Sequence, residues 1–307
     1  MTDVTQVPSD GTPALAPEAA EFLERLRAAG TPPPHAGTVQ QARDGHVASA
    51  PALAGPGEDV WQVSDDRVGG VPVRVYRPED AEGVVVYAHG GGWAVGTVDT
   101  YDTLVRALAN RAGATVVSVD YTLAPDVQHP VQLQQVRAVL EWAASADGPA
   151  PGEKVAVAGD SAGGFLAAWA AHDAAQHGVT VVGQVPIYPA LDPALQTASA
   201  AEFATGRYLE TETMRWYWDL YAPDGVDLLT SADLAGLAPA LVVTAGHDPL
   251  RDDGRAYVTA LQQAGVDATL LEVGGQIHGF ARMTALMPQA LEVLDEVGRW
   301  LRGRLRG

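Results

Sequence analysis

The 307-residue sequence contains no cysteine. This absence excludes disulfide bonds, thiolate metal sites, iron–sulfur clusters and a cysteine nucleophile. Basic residues are also scarce, since 19 Lys and Arg stand against 38 Asp and Glu, which gives a formal net charge of −19. Such a chain repels a polyanion, so we expect no nucleic-acid partner. We expect no metal site either, because no histidine and carboxylate are spaced as metal ligands usually are.

Long apolar runs are absent as well. No uncharged apolar stretch approaches the roughly 20 residues that a membrane-spanning helix requires. Residues 1–10 lack the basic and apolar regions of a secretory signal, so we expect a protein of the cytoplasm. With 47% hydrophobic and 19% charged residues, the chain has enough apolar material for one large core. The acidic excess also fits adaptation to high salt.

Short apolar runs alternate with helical stretches along most of the chain. The unbroken apolar run at 84–88 is typical of a strand that is buried on both faces. The remaining predicted strands lie at 60–63, 71–76, 115–119, 155–158, 181–188, 241–245 and 269–273. The predicted helices between them lie at 101–112, 131–146, 162–176, 252–264 and 289–305. This alternation predicts an α/β fold with a mainly parallel sheet and helices on both faces.

Two segments depart from the alternation. The first 56 residues are rich in Pro, Ala and Gly and predict an arm with one amphipathic helix at 17–29. The 52 residues at 189–240 then separate the strand that ends at 188 from the strand that starts at 241, and they include an aromatic group at 216–218. A loop of this length in a compact domain is usually a lid or a binding element. The aromatic residues could equally fix an inserted helix to the body of the protein.

Two glycine-containing motifs each follow a predicted strand. Gly159-Asp160-Ser161-Ala162-Gly163 opens a helix, and its small residues permit the strained turn of a nucleophile elbow. His89-Gly90-Gly91-Gly92-Trp93 allows main-chain N–H groups to turn toward an approaching oxygen, as in an oxyanion hole. For the first motif the alternative is a serine with a structural role, and for the second it is an ordinary tight turn. A phosphate-binding loop is disfavoured, because neither a Gly-Lys-Ser/Thr ending nor Rossmann spacing is present.

A serine nucleophile needs a base that takes its proton and an acid that orients the base. Asp248 and His278 each follow a predicted strand, at the sheet edge where α/β proteins build their sites. The order Ser161, Asp248, His278 is the order expected of an α/β hydrolase. Asp252 and Asp253 are rivals of Asp248 for the orienting role. The histidines other than His89 and His278 are interpreted as surface or packing residues.

Four motifs in this order resemble the bacterial hormone-sensitive-lipase-like carboxylesterases, also called family IV, from about residue 71 to the end. They are His89-Gly90-Gly91-Gly92-Trp93, Tyr121-Thr122-Leu123-Ala124-Pro125-Asp126, Gly159-Asp160-Ser161-Ala162-Gly163-Gly164, and Asp248-Pro249-Leu250-Arg251-Asp252-Asp253 with His278-Gly279-Phe280. The resemblance implies an α/β-hydrolase fold with a mainly parallel, eight-stranded sheet and a helical cap. It implies that 1–56 is an arm that contributes to the cap, that 57–189 and 233–307 form the core, and that 190–232 is the cap insertion.

The resemblance also implies a role for each site residue. Ser161 would be the nucleophile, His278 the general base and then acid, and Asp248 the residue that holds the imidazole. Three main-chain N–H groups would form the oxyanion hole, namely those of Gly91, Gly92 and Ala162. No cofactor is needed for this chemistry. The resemblance also favours a homodimer.

We therefore predict a carboxylesterase that cleaves esters of short to medium acyl chains through an acyl-enzyme. Trp93, Tyr188 and Trp216 are predicted to contact a small-molecule ester in an apolar pocket. An amidase, a formamidase or an aryl-ester specialist would use the same triad, because only the pocket and the leaving group differ. A noncatalytic small-molecule-binding relative is the alternative outside the enzymes, since one fold can serve several functions.

Overall fold

The computed structural model describes residues 13–226, 228 and 232–307. The predicted lack of a secretory signal concerns residues 1–10, which lie outside the described residues. The described strands are β1 Gln62–Val68, β2 Val71–Arg77, β3 Val84–Ala88, β4 Thr115–Val119, β5 Val155–Asp160, β6 Gln184–Ile187, β7 Ala240–His247 and β8 Ala268–Ile277. They form one sheet in the order β1-β2-β4-β3-β5-β6-β7-β8. The β1–β2 and β2–β4 pairs are antiparallel and the other pairs are parallel.

Helices cover both faces of this sheet. They are α1 Pro17–Ala29, α2 Val39–Ala54, α3 Asp102–Ala112, α4 Val131–Ala143, α5 Ala162–Gln176, α6 Ala198–Glu202, α7 Thr211–Tyr221, α8 Arg251–Gln263 and α9 Pro288–Arg306, with short 3-10 helices at Pro34–Ala36 and Phe280–Arg282. The predicted fold class is confirmed by this mainly parallel sheet with helices on both sides. Among the described residues, no helix combines the length and the apolar character that a membrane crossing demands.

Strand β3 shows how the sequence buries the sheet on both faces. Val84 and Val86 point into the apolar cluster that contains α4, α5 and α8, whereas Val85 and Tyr87 point into the cluster that contains α3 and α9. All four side chains are fully buried. Each buried apolar side chain of this size contributes roughly 1.5–3 kcal/mol. An uninterrupted apolar run is therefore what a central strand between two helix layers requires.

Helix α1 has the predicted bounds 17–29, but the arm also contains a second helix, α2, which was not predicted. Helix α2 begins after Thr38, whose side chain accepts a hydrogen bond from the Gln41 N–H at 3.2 Å, while the Gln41 side chain accepts one from the Thr38 N–H at 2.8 Å. This reciprocal pair is a capping box, a signal that the sequence carries. Gly45 and Pro51 lie inside the helix and weaken its helical pattern.

The arm contacts both the core and the segment 190–232, which carries α6 and α7. The Ala285 N–H donates to the Leu53 carbonyl at 3.1 Å, which ties the end of α2 to the chain after β8. The His35 ring nitrogen Nδ1 lies 2.8 Å from the Thr213 hydroxyl of α7. The arm and the segment 190–232 therefore contact each other beside the carboxyl ends of the parallel strands.

Candidate active site

Ser161 lies at the turn between β5 and α5. Its backbone has φ 56° and ψ −119°, a conformation that costs strain in any residue with a side chain. The turn brings main chains close together, because a Cβ atom on Gly163 would lie 2.0 Å from the Ala88 carbonyl oxygen. A Cβ atom on Gly159 would lie 2.2 Å from the Gly163 oxygen. Small residues on both sides of Ser161 are therefore a steric requirement of the elbow.

The three predicted triad residues are hydrogen-bonded in series. His278 Nε2 lies 2.8 Å from Ser161 Oγ, and His278 Nδ1 lies 2.7 Å from Asp248 Oδ2. The second Asp248 oxygen accepts a hydrogen bond from the Leu250 N–H at 2.8 Å, which holds the carboxylate in place. In this arrangement Nδ1 donates to the carboxylate, and Nε2 is left to accept the serine proton. The site can therefore activate a serine hydroxyl.

The rival acids Asp252 and Asp253 face other partners. Asp253 accepts hydrogen bonds from the N–H groups of Leu191 and Asp192 at 2.9 and 3.0 Å, and burial raises its pKa to about 8. The Asp252 carboxylate lies within 3.2 Å of the guanidinium groups of its neighbours in α8. Both acids therefore fasten the chain around the site, and Asp248 is the acid that contacts His278.

The glycine-rich loop after β3 forms a tight turn beside Ser161. The Gly91 carbonyl accepts hydrogen bonds from the N–H groups of Ala94 and Val95 at 3.1 and 2.9 Å. Gly91 has φ 110° and Gly92 has φ 56°, both in the left-handed region that glycine adopts most easily. Both glycines line the same cavity as Ser161. Ala162, the third predicted donor, is the first residue of α5 and directly follows the nucleophile.

Asp160 connects the elbow to this loop, a role that the sequence analysis missed although Asp160 lies within the quoted motif. Its Oδ1 atom accepts hydrogen bonds from the Tyr87 hydroxyl at 2.7 Å and from the Gly90 N–H at 2.8 Å. Tyr101 also directs its hydroxyl at Asp160, at 3.4 Å. Burial raises the pKa of Asp160, and the hydrogen bonds from Tyr87 and Gly90 oppose that rise. The carboxyl group thus fixes the glycine loop relative to the nucleophile.

Ser161 and His278 open into a cavity of about 880 Å³. Its walls come from three parts of the chain: the arm, the segment 190–232 and the core. Side chains that line it include Leu23, His46, Tyr208, Met214, Tyr217 and Arg282. Within the described ranges, no group of three or more His, Asp or Glu side chains is arranged to hold a metal ion.

The three aromatic residues predicted to contact substrate do not line this cavity, so that prediction needs correction. Trp93 is fully buried and stacks on Tyr221, with ring centroids 4.3 Å apart. Tyr188 is also fully buried and packs edge-on against the His278 ring, with ring centroids 4.8 Å apart. Trp216 packs beside Tyr217, with ring centroids 5.1 Å apart. Trp93 follows Gly92 and Trp216 precedes Tyr217, so both are sequence neighbours of residues that line the cavity, whereas Tyr188 contacts His278 directly.

Comparison with known proteins gives consistent matches. The family model Abhydrolase_3, described as an alpha/beta hydrolase fold, matches residues 85–282. The chain is 38% identical to the carboxylesterase NlhH of Mycobacterium tuberculosis over 247 residues, 75% of this chain and 77% of that protein. It is 35% identical to an ethyl acetate hydrolase of Pseudomonas putida over 307 residues, 92% of this chain and 96% of that protein.

Solved structures with the same architecture are also esterases. A hyperthermophilic esterase from the archaeon Pyrobaculum calidifontis matches with a TM-score of 0.88 and 35% identity, over 94% of this chain and 98% of that chain. A thermostable esterase from Pseudomonas putida matches with a TM-score of 0.88 and 31% identity, over 96% of this chain and 99% of that chain.

Proposed function

The chain belongs to the α/β-hydrolase family of hormone-sensitive-lipase-like carboxylesterases, and we propose that it hydrolyses esters of short to medium acyl chains through Ser161. The observation that carries this proposal is the hydrogen-bonded series Asp248–His278–Ser161, with contacts of 2.7 and 2.8 Å, in which Ser161 and His278 line a cavity of about 880 Å³. A cavity of this volume suits a small organic molecule.

In the first half of the proposed reaction, Ser161 Oγ attacks the ester carbonyl carbon while His278 Nε2 takes the hydroxyl proton. The tetrahedral intermediate then collapses, and His278 gives the proton to the leaving alcohol oxygen. Asp248 holds the imidazole and stabilises its positive charge. In the second half, water attacks the acyl-enzyme with His278 as the base, and the carboxylic acid leaves.

The developing negative charge on the carbonyl oxygen needs donors that are already in position. We assign this role to the N–H groups of Gly91, Gly92 and Ala162, which flank the nucleophile on two sides. Each such donor contributes roughly 3 kcal/mol to transition-state stabilisation. Asp160 is a positioning residue for these donors, because it holds the Gly90 N–H at 2.8 Å and directly precedes Ser161.

We also propose that residues 1–56 and 190–232 together form a cap over the core, which comprises 57–189 and 233–307. The contact between His35 and Thr213 at 2.8 Å joins the two cap segments. Tyr217 of α7 packs directly over Gly92, since a Cβ atom on this glycine would lie 2.2 Å from the Tyr217 ring. A cap in this position would exclude water from the oxyanion donors and strengthen their interaction.

Hydrolysis of p-nitrophenyl esters with two, four, eight and twelve acyl carbons tests the proposal, with Ser161→Ala as the matched control. We expect turnover that peaks at a short or medium chain and disappears in the variant. Retention of turnover in Ser161→Ala would refute the assignment of the nucleophile. Activity on a matched anilide but on no ester would favour an amidase instead.

A cytoplasmic location and a homodimer stay proposals that follow from the sequence and the family resemblance. Cell fractionation would test the first, and light scattering of the purified protein would test the second.

A further inference from the structure

Arg282 carries a positive charge to the wall of the cavity that contains the catalytic groups. It lies four residues after His278, on the 3-10 helix Phe280–Arg282, and its residue surface is only 5% exposed. Arg282 and Ser161 line the same cavity. Among the residues that the structure describes, no carboxylate oxygen lies within 4.0 Å of the Arg282 guanidinium, and its polar contacts are to Tyr208 and His46.

The other buried arginine of the described chain shows the usual arrangement. Arg251 is 6% exposed, and its guanidinium lies 3.1 Å from a Glu202 oxygen and 3.0 Å from an Asp252 oxygen. Such pairing is expected, because a buried charge without a counter-ion is costly. An arginine side chain cannot escape this cost by losing its proton. Arg282 therefore keeps a full positive charge without a direct counter-ion.

Its two hydrogen-bonding neighbours are uncharged and orient the guanidinium. Nη2 of Arg282 donates to the Tyr208 hydroxyl at 2.8 Å, and Nη1 lies 3.5 Å from His46 Nε2. Burial, together with the nearby Arg282 charge, holds the pKa of His46 well below its usual value. A neutral His46 accepts a hydrogen bond and adds no negative charge. The face of Tyr101 lies 5.9 Å from the guanidinium carbon and completes the surroundings.

The acids on the cavity wall are engaged elsewhere. Asp160 does not contact the Arg282 guanidinium, and the two side chains interact only through longer-range electrostatics. The Asp160 carboxyl group accepts hydrogen bonds from Tyr87 and Gly90, and burial raises the pKa of Asp160. Glu24 pairs with Arg27 at 2.7 Å, and Glu210 accepts a hydrogen bond from the Gly206 N–H at 3.2 Å. The cavity thus offers an oriented cation that is available to a ligand.

We propose that Arg282 is a specificity residue that binds a free carboxylate on the substrate, so that the enzyme prefers esters that also carry a carboxylate group. This inference rests on the proposed esterase function. A guanidinium matches a carboxylate with two parallel hydrogen bonds, and such charge-assisted bonds are the strong ones. A chain with a net charge of −19 repels anions at long range, so selection of an anionic ester needs a local cation of this kind.

The carboxylate could belong to the acyl group, as in a monoester of a dicarboxylic acid, or to the alcohol, as in an acyloxy acid. Two matched pairs of esters separate these sources: monoethyl glutarate against ethyl pentanoate, and 4-acetoxybutanoate against butyl acetate. Acid release in a pH-stat measures all four reactions in the same way. We expect kcat/KM for the anionic ester to exceed that of its neutral partner by about 10- to 100-fold in at least one pair.

Variants of Arg282 test the residue itself. Arg282→Gln is expected to reduce the preference for the anionic ester by about 10- to 100-fold, mainly through KM. Arg282→Lys keeps the charge and is expected to retain part of the preference. Arg304→Gln is the matched control, because it removes one positive charge from α9, where Arg304 pairs with Asp267 outside the cavity lining. Its preference should equal that of the wild type.

Two results would overturn the inference while the esterase function stands. One is equal kcat/KM for the anionic and neutral members of both pairs in the wild type, a measurement that needs no variant. The other is an equal loss on both members in Arg282→Gln, which would make Arg282 a structural link between the arm and the segment 190–232. No hydrolysis of any of the four esters or of the p-nitrophenyl esters would refute the esterase function and the inference with it.

Discussion

The substitution Gly91→Ala tests the oxyanion donors most directly. Gly91 has φ 110°, and an added Cβ atom would lie 2.2 Å from the Val95 carbonyl oxygen, which is main chain and cannot rotate away. Ordinary contact begins at 3.4 Å, so the loop must move by about 1 Å. The same loop carries the proposed donors of Gly91 and Gly92, and a movement of this size takes them out of hydrogen-bond range.

The expected loss can be worked out from this displacement. Removal of one oxyanion donor lowers kcat by about 10²- to 10³-fold, equivalent to roughly 3–4 kcal/mol. A misplacement of about 1 Å costs a similar factor. We therefore expect Gly91→Ala to lower kcat by about 10²- to 10³-fold. KM should change little, because the donors act on the charge that develops only in the transition state.

The assay is steady-state hydrolysis of p-nitrophenyl butyrate, with circular dichroism and thermal melting to verify the fold. Gly152→Ala is the matched control, since Gly152 also has a positive φ, 83°, but no atom lies within 4 Å of the added carbon. It should cost roughly 1 kcal/mol of stability and leave kcat unchanged. A folded Gly91→Ala variant with wild-type kcat would refute the assignment of this loop as the oxyanion hole.

Three further predictions concern the acids and the nucleophile. Ser161→Ala should abolish ester turnover without unfolding the protein, and residual turnover above background would contradict this. Asp248→Asn should lower kcat by about 10⁴-fold, because an amide no longer holds the His278 tautomer; an effect below tenfold would contradict the triad. Asp253 has a pKa raised to about 8, so the folded state retains a proton that the unfolded state releases above about pH 4. The free energy of unfolding should therefore fall as pH rises from 4 to 8, and Asp253→Asn should reduce this fall by roughly 4 kcal/mol between pH 5 and pH 8. Urea unfolding at pH 5 and pH 8 measures the difference, and equal pH dependence in both proteins would contradict it.

The central strands and the triad could be predicted because their signals are local. An apolar run at 84–88 has one stable position, between two layers of helices, and β3 has these bounds. The triad residues each follow a strand, and the parallel topology brings strand ends together at one edge of the sheet. Pattern and topology therefore suffice to place Ser161, Asp248 and His278 side by side.

The walls of the cavity could not be predicted in the same way, since they arise where distant segments pack together. His46 lies in α2, Tyr208 in the segment 190–232 and Arg282 after β8, and only the folded chain brings them into contact. No spacing along the sequence connects these positions. Trp93 shows that a position next to the site in the sequence does not ensure contact with the cavity. Its neighbour Gly92 lines the cavity, but the Trp93 side chain points into the core.

Asp160 explains how the elbow and the glycine loop remain in place. Ser161 at φ 56° is strained, and the turn at Gly91, with φ 110°, is one that glycine alone adopts readily. Asp160 joins them, because it precedes the nucleophile and binds the Gly90 N–H and the Tyr87 hydroxyl of the neighbouring strand. The carboxyl group is fully enclosed, so its hydrogen bonds are not weakened by competition with water. Ser161 and the proposed oxyanion donors are therefore held as one unit before any substrate arrives, which is the preorganisation that electrostatic catalysis requires.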